Sequence, residues 1–207
     1  VIVMAKVIGI FPTPVMKVDG FADAELIQGL TDIAKTFQLD SNSATDLLTH
    51  TEMIAADNEL INGRLKALAV PHLVSFGELL FAEKLEWTIK ESWINVLKPG
   101  GSQFLHTHAN SFISGVIYVT KPHASAATIF RRPSGGTEFI FKNDIPDGHI
   151  SSDNWLVPDV ELGDLLLFPS YLLHGVPPND GALRISLAFN AIPNRLDSLG
   201  YKIGFTP

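Results

Sequence analysis

The sequence predicts one domain, in which a helical N-terminal layer (about residues 1–85) packs on an all-β sandwich or barrel (about residues 86–207). Apolar residues recur with helical periodicity in the first part, and short apolar runs separated by turn residues make up the second. A length of 207 residues suits one domain, and 46% hydrophobic residues are enough to form a sizeable core.

Two helices are predicted in the N-terminal layer. The first covers residues 22–37, where Leu26, Leu30 and Ile33 recur on one face. The second covers residues 57–81, and Pro71 is expected to kink or divide it because proline lacks a backbone N–H.

The residue pattern in the second part of the chain predicts short strands. Their spacing indicates a sandwich or barrel rather than alternating strands and helices. The polar, turn-rich segment 142–159, which contains Trp155, is predicted to be a surface loop over one end, with a lid or substrate wall as the alternative. The predicted strands are 86–97, 104–108, 112–120, 126–131, 137–141, 160–168 and 183–191.

Charge and composition exclude several classes of protein. The net charge of -7 argues against a nucleic-acid partner, because such binding needs a surplus of Lys and Arg. No apolar run approaches the roughly 18 residues of a membrane span, and no signal peptide is recognisable. The absence of cysteine excludes disulfides and thiolate metal sites and fits a cytoplasmic location. Edge strands would allow a homodimer.

The first candidate for chemistry is the pair His106 and His108. On an extended strand, residues i and i+2 point to the same face, so the two imidazoles can converge on one point. Imidazole nitrogen is a good ligand for iron, zinc, copper or nickel. Two surface histidines in a turn remain the alternative for this pair alone.

A third histidine, His174, follows a buried strand and a bend marked by Pro169. A sandwich brings distant strands together, so His174 is a candidate third ligand for the metal. A core histidine with satisfied hydrogen bonds is the alternative.

The predicted strand 183–191 carries an arginine among small and apolar residues. Alternation puts Arg184 and Ser186 on one face of this strand. A guanidinium is costly to bury without an anion, and its planar fork suits a carboxylate, to which a serine hydroxyl can add a hydrogen bond. An internal salt bridge to one of the 22 acidic residues is the alternative.

These features together resemble the 2-oxoglutarate/Fe(II) dioxygenase superfamily, whose pattern is His-x-(Asp/Glu) on one strand, a distal histidine, and Arg-x-Ser shortly after it. More narrowly, the chain is similar to a group of bacterial and phage 2-oxoglutarate/Fe(II) oxygenases over nearly its whole length. The matching blocks are residues 10–15, 92–96, 106–111, 114–119, 166–170 and 184–190.

The resemblance implies a double-stranded β-helix, a jelly-roll and cupin-like fold, that binds Fe(II) and takes 2-oxoglutarate as co-substrate. It implies that His106 and His174 are metal ligands and that Arg184, assisted by Ser186, binds the C5 carboxylate of 2-oxoglutarate. His108 departs from the pattern, since most of the superfamily has Asp or Glu there.

A histidine at position 108 leaves two ligand sets open: a three-His site, or a site in which His108 and Asn110 form the pair. Tyr118 and Asn95, on neighbouring predicted strands, could hydrogen-bond the co-substrate or serve packing alone.

The activity that the resemblance implies is oxygenation, of the hydroxylase type, of a small molecule or a peptide side chain. A cupin-type enzyme with three histidines is one alternative, because Gly100, Gly115, Gly163 and Pro169 resemble parts of the two cupin signatures. A non-catalytic β-sandwich that binds a partner is the other. The Arg-x-Ser pair favours the oxygenase.

Overall fold

The computed structural model describes residues 12–36, 40–42, 45–54, 58–132, 154–157 and 159–205. The predicted strand 137–141, most of the predicted loop 142–159 and the start of the block 10–15 lie outside these residues.

Two α-helices form the N-terminal layer. Helix α1 (Ala24–Thr36) begins where the Asp23 carboxylate accepts a hydrogen bond from the Leu26 N–H, and it buries one apolar face, as predicted. Helix α2 (Lys66–Phe81) follows directly on a π-helical segment, Leu60–Leu65. The predicted division at Pro71 is wrong, because α2 continues through it. Pro71 and Ala67, whose carbonyl lacks its usual donor, are both exposed, so water can reach that carbonyl.

The described residues form a larger sheet of seven antiparallel strands, and the N-terminal part of the chain supplies three of them. In spatial order they are β1 (Met16–Val18), β9 (Leu165–Pro169), β6 (Ile113–Tyr118), β11 (Arg184–Pro193), β4 (Trp87–Leu97), β3 (Thr45–His50) and β2 (Asp40–Asn42).

The smaller sheet has, in the part of the chain that the structure describes, four antiparallel strands: β5 (Gln103–His106), β10 (His174–Val176), β7 (Ile129–Arg131) and β8 (Asn154–Leu156). A two-stranded hairpin, β12 (Arg195–Ser198) and β13 (Tyr201–Gly204), follows at the C-terminal end. Strand β10 brings His174 into this sheet rather than leaving it in the bend that follows β9.

The two faces of the larger sheet have different partners. Its outer face packs against α1 and α2, and a β-carbon on Gly77 of α2 would come within 2.5 Å of the Trp87 ring, so only glycine permits this approach. Its inner face meets the smaller sheet, where the rings of Phe168 and Phe130 lie 5.0 Å apart. Two such sheets with helices on one side form the predicted double-stranded β-helix.

Within the described ranges, no helix is long and apolar enough to span a bilayer.

Candidate active site

Strand register arranges the inner face of the larger sheet into rows of side chains. Directly paired residues of antiparallel strands point to the same face, so each row projects towards the smaller sheet. A polar row consists of Tyr118, Ser186, Asn95 and His50. The neighbouring row on one side consists of Arg184, Leu97 and Leu48. The neighbouring row on the other side consists of Val116, Ala188 and Trp93.

Three histidines from the smaller sheet converge opposite these rows. His106 at the end of β5 is paired directly with His174 at the start of β10, and His108 follows two residues after His106. One ring nitrogen from each lies within 4.8 Å of the other two. Gly175 lets the two strands approach, since a β-carbon there would come within 2.8 Å of the Gln103 carbonyl oxygen. This spacing suits three ligands of one metal ion.

Two of these rings are oriented by local hydrogen bonds. Nδ1 of His106 lies 2.8 Å from the carbonyl oxygen of Phe104, and Nδ1 of His174 lies 2.8 Å from that of Leu172. A carbonyl only accepts, so each Nδ1 carries the proton and each Nε2 keeps its lone pair. Hydrogen bonding of this kind fixes the tautomer of metal-binding histidines.

The surroundings keep His108 and His174 uncharged. Burial, followed by the proximity of His106, lowers the pKa of His108 to about 4 and that of His174 to about 3. Both rings are therefore neutral near pH 7, which is the form that binds a metal ion. The indole of Trp93 lies beside His108, with 5.5 Å between ring centroids.

Arg184 is buried without an anionic partner among the described residues. Its Nη1 donates to the Ser186 hydroxyl at 3.1 Å and its Nη2 to the Thr128 hydroxyl at 3.3 Å, while Nε has no partner. No carboxylate among the described residues forms an ion pair with it, although only 4% of Arg184 is exposed. Burial lowers the pKa of Arg184, and Tyr118 acts in the opposite direction. A guanidinium nevertheless stays protonated in proteins.

Tyr118 lies behind Arg184 rather than in the open space before it. The guanidinium carbon is 5.2 Å from the centre of the Tyr118 ring, and the Tyr118 hydroxyl is hydrogen-bonded to that of Thr128 at 2.7 Å. Tyr118 therefore supports the guanidinium from one side and fixes the hydroxyl that accepts from its Nη2.

The three histidines and Arg184 open into one cavity of about 290 Å³. Leu97, Val116 and Phe168 supply apolar parts of its wall. Polar side chains at its surface, besides the histidines and Arg184, are His50, Asn95, Gln103, Ser114, Thr128 and Ser186.

Six of the seven residues singled out from the sequence line this cavity: His106, His108, His174, Arg184, Ser186 and Asn95. Tyr118 does not line the cavity, but its ring lies against Arg184 and its hydroxyl is hydrogen-bonded to Thr128. Asn110, the alternative partner of His108, is exposed and does not line the cavity. Trp155 lies on β8, paired with Phe130 and partly exposed, and does not line the cavity.

Thr128, His50 and Trp93 belong to the site and were not found from the sequence. They carry no spacing motif, and only the pairing of distant strands brings them to it. Thr128 is a small polar residue within the predicted strand 126–131, and this is the one sequence feature that could have indicated its place in the site.

The residues present fit a metal ion and an organic anion together. Three imidazole nitrogens at this spacing can serve as a ligand set for a first-row transition metal. Across the cavity, a buried cation with an unused donor, Nε of Arg184, requires a negative partner.

Comparison with known proteins agrees with this chemistry. The model of a family described as "Putative 2OG-Fe(II) oxygenase" matches residues 91–190, which include all three histidines and Arg184. No curated protein sequence is similar enough to count as a relative.

Solved structures of such oxygenases share the fold. HygX from Streptomyces hygroscopicus, with nickel and 2-oxoglutarate bound, has a TM-score of 0.65 and 12% identity, covering 87% of this chain and 83% of that one. A 2OG-Fe(II) oxygenase family oxidoreductase from Burkholderia pseudomallei has a TM-score of 0.62 and 12% identity, covering 86% and 83%. A Pseudomonas putida prolyl-4-hydroxylase has a TM-score of 0.58 and 16% identity, covering 86% and 92%.

The histidine cluster and the buried arginine both lie within the residues that this family model matches, and over these residues the chain is similar to Fe(II)- and 2-oxoglutarate-dependent oxygenases.

Proposed function

We propose that His106, His108 and His174 hold the Fe(II) ion and that Arg184 binds the C5 carboxylate of 2-oxoglutarate. One observation carries this assignment: Arg184 is buried and lacks a carboxylate partner among the described residues, and it faces the cavity into which the three histidines open. The co-substrate would supply the missing anion.

The residues around Arg184 would orient the co-substrate. The guanidinium fork offers a bidentate, charge-assisted bond to a carboxylate. The Ser186 hydroxyl can add a further hydrogen bond, and Asn95, next to it in the polar row, can bond another oxygen. Tyr118 would act indirectly, by holding Thr128 and the guanidinium in place.

When bound, the iron supplies the oxidation, in which O₂ and 2-oxoglutarate are converted to succinate and CO₂ and one oxygen atom passes to the substrate. The chain itself binds the reactants, orients them and excludes water. Apolar side chains such as Leu97, Phe168 and Val176 line the cavity and help to exclude water from it.

The third histidine changes the charge of the site. A carboxylate at position 108 would cancel one of the two positive charges of the metal ion, whereas the neutral His108 ring cancels none. The uncompensated charge favours a dianionic co-substrate such as 2-oxoglutarate.

We further propose a hydroxylase-type reaction on a small molecule or a peptide side chain. Two similar structures support this range, one solved with hygromycin B bound and one named a prolyl-4-hydroxylase. The absence of cysteine supports a cytoplasmic location, and the net charge of -7 supports a partner other than nucleic acid. A homodimer formed through exposed sheet edges remains a prediction.

Succinate formation tests this function. Protein incubated in air with Fe(II) and 2-oxoglutarate should produce succinate slowly even without a prime substrate. The His174→Ala variant should produce none, while His123→Ala, which changes an exposed histidine outside the cavity, should behave as wild type. Equal succinate formation by all three proteins would contradict the assignment.

A further inference from the structure

A fourth histidine, His50, lines the cavity on the side opposite Arg184. His50 ends β3 and is paired with Asn95, which is paired with Ser186. Two strand spacings of about 4.8 Å each put His50 roughly 10 Å from Ser186. A co-substrate anchored at Arg184 and Ser186 therefore leaves the space in front of His50 open.

Hydrogen bonding fixes the ring nitrogen that His50 can offer to a ligand. Its Nδ1 lies 3.0 Å from the carbonyl oxygen of Thr51, which only accepts, so Nδ1 carries the proton. In this tautomer Nε2 is the hydrogen-bond acceptor, and it has no partner among the described residues. It can accept a hydrogen bond from an O–H or N–H group.

The cavity wall near His50 is mainly apolar and carries a few polar groups. Trp93 lies one row from Asn95 on the same strand, and its indole contacts the ring of His108, so a group resting on Trp93 lies beside the metal ligands. Met53 adds apolar surface near His50, and Gln103 contributes an amide with no hydrogen bond to the described residues. An amide both donates and accepts.

Among the described residues, the cavity wall offers no further charged side chain to a second ligand. Arg184 is the one Asp, Glu, Lys or Arg residue among the described residues that line the cavity, and the co-substrate would use it. A cationic or anionic substrate group buried near His50 would thus lose its hydration without gaining an ion pair. At about 290 Å³ for both ligands, the space admits a group of side-chain size.

We propose that His50, Trp93 and Gln103 form the subsite for the prime substrate, and that it takes an uncharged, largely apolar group bearing an N–H or O–H donor, such as a carboxamide or an alcohol. This inference rests on the proposed function, because Arg184 must already be occupied by 2-oxoglutarate.

Three probes with the same ring and different charge test the inference: benzamide, benzoate and benzylamine. Each is titrated by ligand-observed NMR into protein saturated with Ni(II) and 2-oxoglutarate, nickel serving as an inert substitute for iron. Benzamide should bind at millimolar concentration, and benzoate and benzylamine should bind at least about tenfold more weakly. Absence of benzamide binding, or equal binding of a charged probe, would overturn the proposal.

Variants locate the binding. His50→Leu should weaken benzamide binding about three- to tenfold, as expected for loss of one hydrogen bond, while His123→Leu should leave it unchanged. Trp93→Leu should weaken it about tenfold through loss of the flat aromatic surface. Unchanged benzamide affinity in both His50→Leu and Trp93→Leu would overturn the assignment of the subsite.

Nickel content and 2-oxoglutarate affinity, measured on the same samples, distinguish the two possible failures. If both are normal and benzamide does not bind, the subsite is wrong and the proposed function stands. If 2-oxoglutarate itself does not bind, the proposed function fails first. The selectivity among the three probes needs no variant, so it remains decisive even where a substitution prevents folding.

Discussion

His106 and His174 face each other directly across the β5–β10 pair, with 4.3 Å between ring centroids. Each ring donates its Nδ1 proton to the carbonyl two residues before it, which leaves both Nε2 atoms available. The same local hydrogen bond thus orients two proposed ligands that lie far apart in the sequence.

Removal of either histidine should abolish metal binding at this site. His106→Ala and His174→Ala should each lower Fe(II) or Ni(II) affinity by more than about a hundredfold, since changes to groups that merely support a ligand already cost 10–100-fold. Metal analysis after dialysis measures the occupancy, with His123→Ala as the control. Full occupancy in His174→Ala would show that this residue is not a ligand.

His108 occupies the position where most of the superfamily has a carboxylate. His108→Asp should keep the metal bound, because a carboxylate oxygen can replace the imidazole nitrogen, and should raise 2-oxoglutarate turnover without substrate. His108→Ala should lose metal affinity, and Asn110→Ala should not. If His108→Ala binds metal as tightly as wild type, the three-His site is wrong.

Thr128 fixes one arm of the arginine fork. Thr128→Val keeps the shape and removes the hydroxyl that accepts from Arg184 and bonds Tyr118. The variant should bind 2-oxoglutarate about tenfold more weakly, as expected for loss of a hydrogen bond to a charged group. Calorimetry measures the affinity, and Thr128→Ser should restore it. A metal content equal to wild type separates this effect from general damage.

Sequence alternation was enough to identify the candidate site residues on β11, but not the residues of other strands that surround them. Arg184 and Ser186 are on one face of a ten-residue strand, so a period of two identifies them. Strands β1, β8 and β10 have three residues each, too few to show any period. His50 and Trp93 reach the site through pairing between β3, β4 and β11, and no local pattern records which strands are neighbours.

A buried carboxylate, Asp164, connects the loop after β1 with the turn before β9. Its oxygens accept from the N–H groups of Gly20 and Glu161 and pair with Lys17. Burial by itself raises the pKa of Asp164, but these partners outweigh it and lower the pKa overall. Asp164→Asn should therefore lower the free energy of unfolding by about 1–3 kcal/mol at neutral pH.

The sign of the pH dependence follows from the lowered pKa of Asp164. The carboxylate stabilises the fold above the ordinary aspartate range, about pH 4, and this contribution disappears as the pH falls through the lower pKa of the native state. Urea unfolding of wild type and Asp164→Asn between pH 7 and the acid range should show the difference shrinking. Asp19→Asn, which changes an exposed partner of Lys17, serves as the control. A difference that stays constant would contradict the explanation.

The most direct measurement of the central claim is 2-oxoglutarate binding to wild type and Arg184→Met, by calorimetry without oxygen in the presence of Fe(II) or Ni(II). Breaking a buried ion pair costs about 3–5 kcal/mol, so Arg184→Met should bind at least roughly a hundredfold more weakly with the metal content unchanged. Arg184→Lys should recover only part of the affinity, and Arg131→Met, at an exposed arginine, should match wild type. Failure of the wild-type protein to bind 2-oxoglutarate at millimolar concentration, or equal binding by Arg184→Met, would contradict the account.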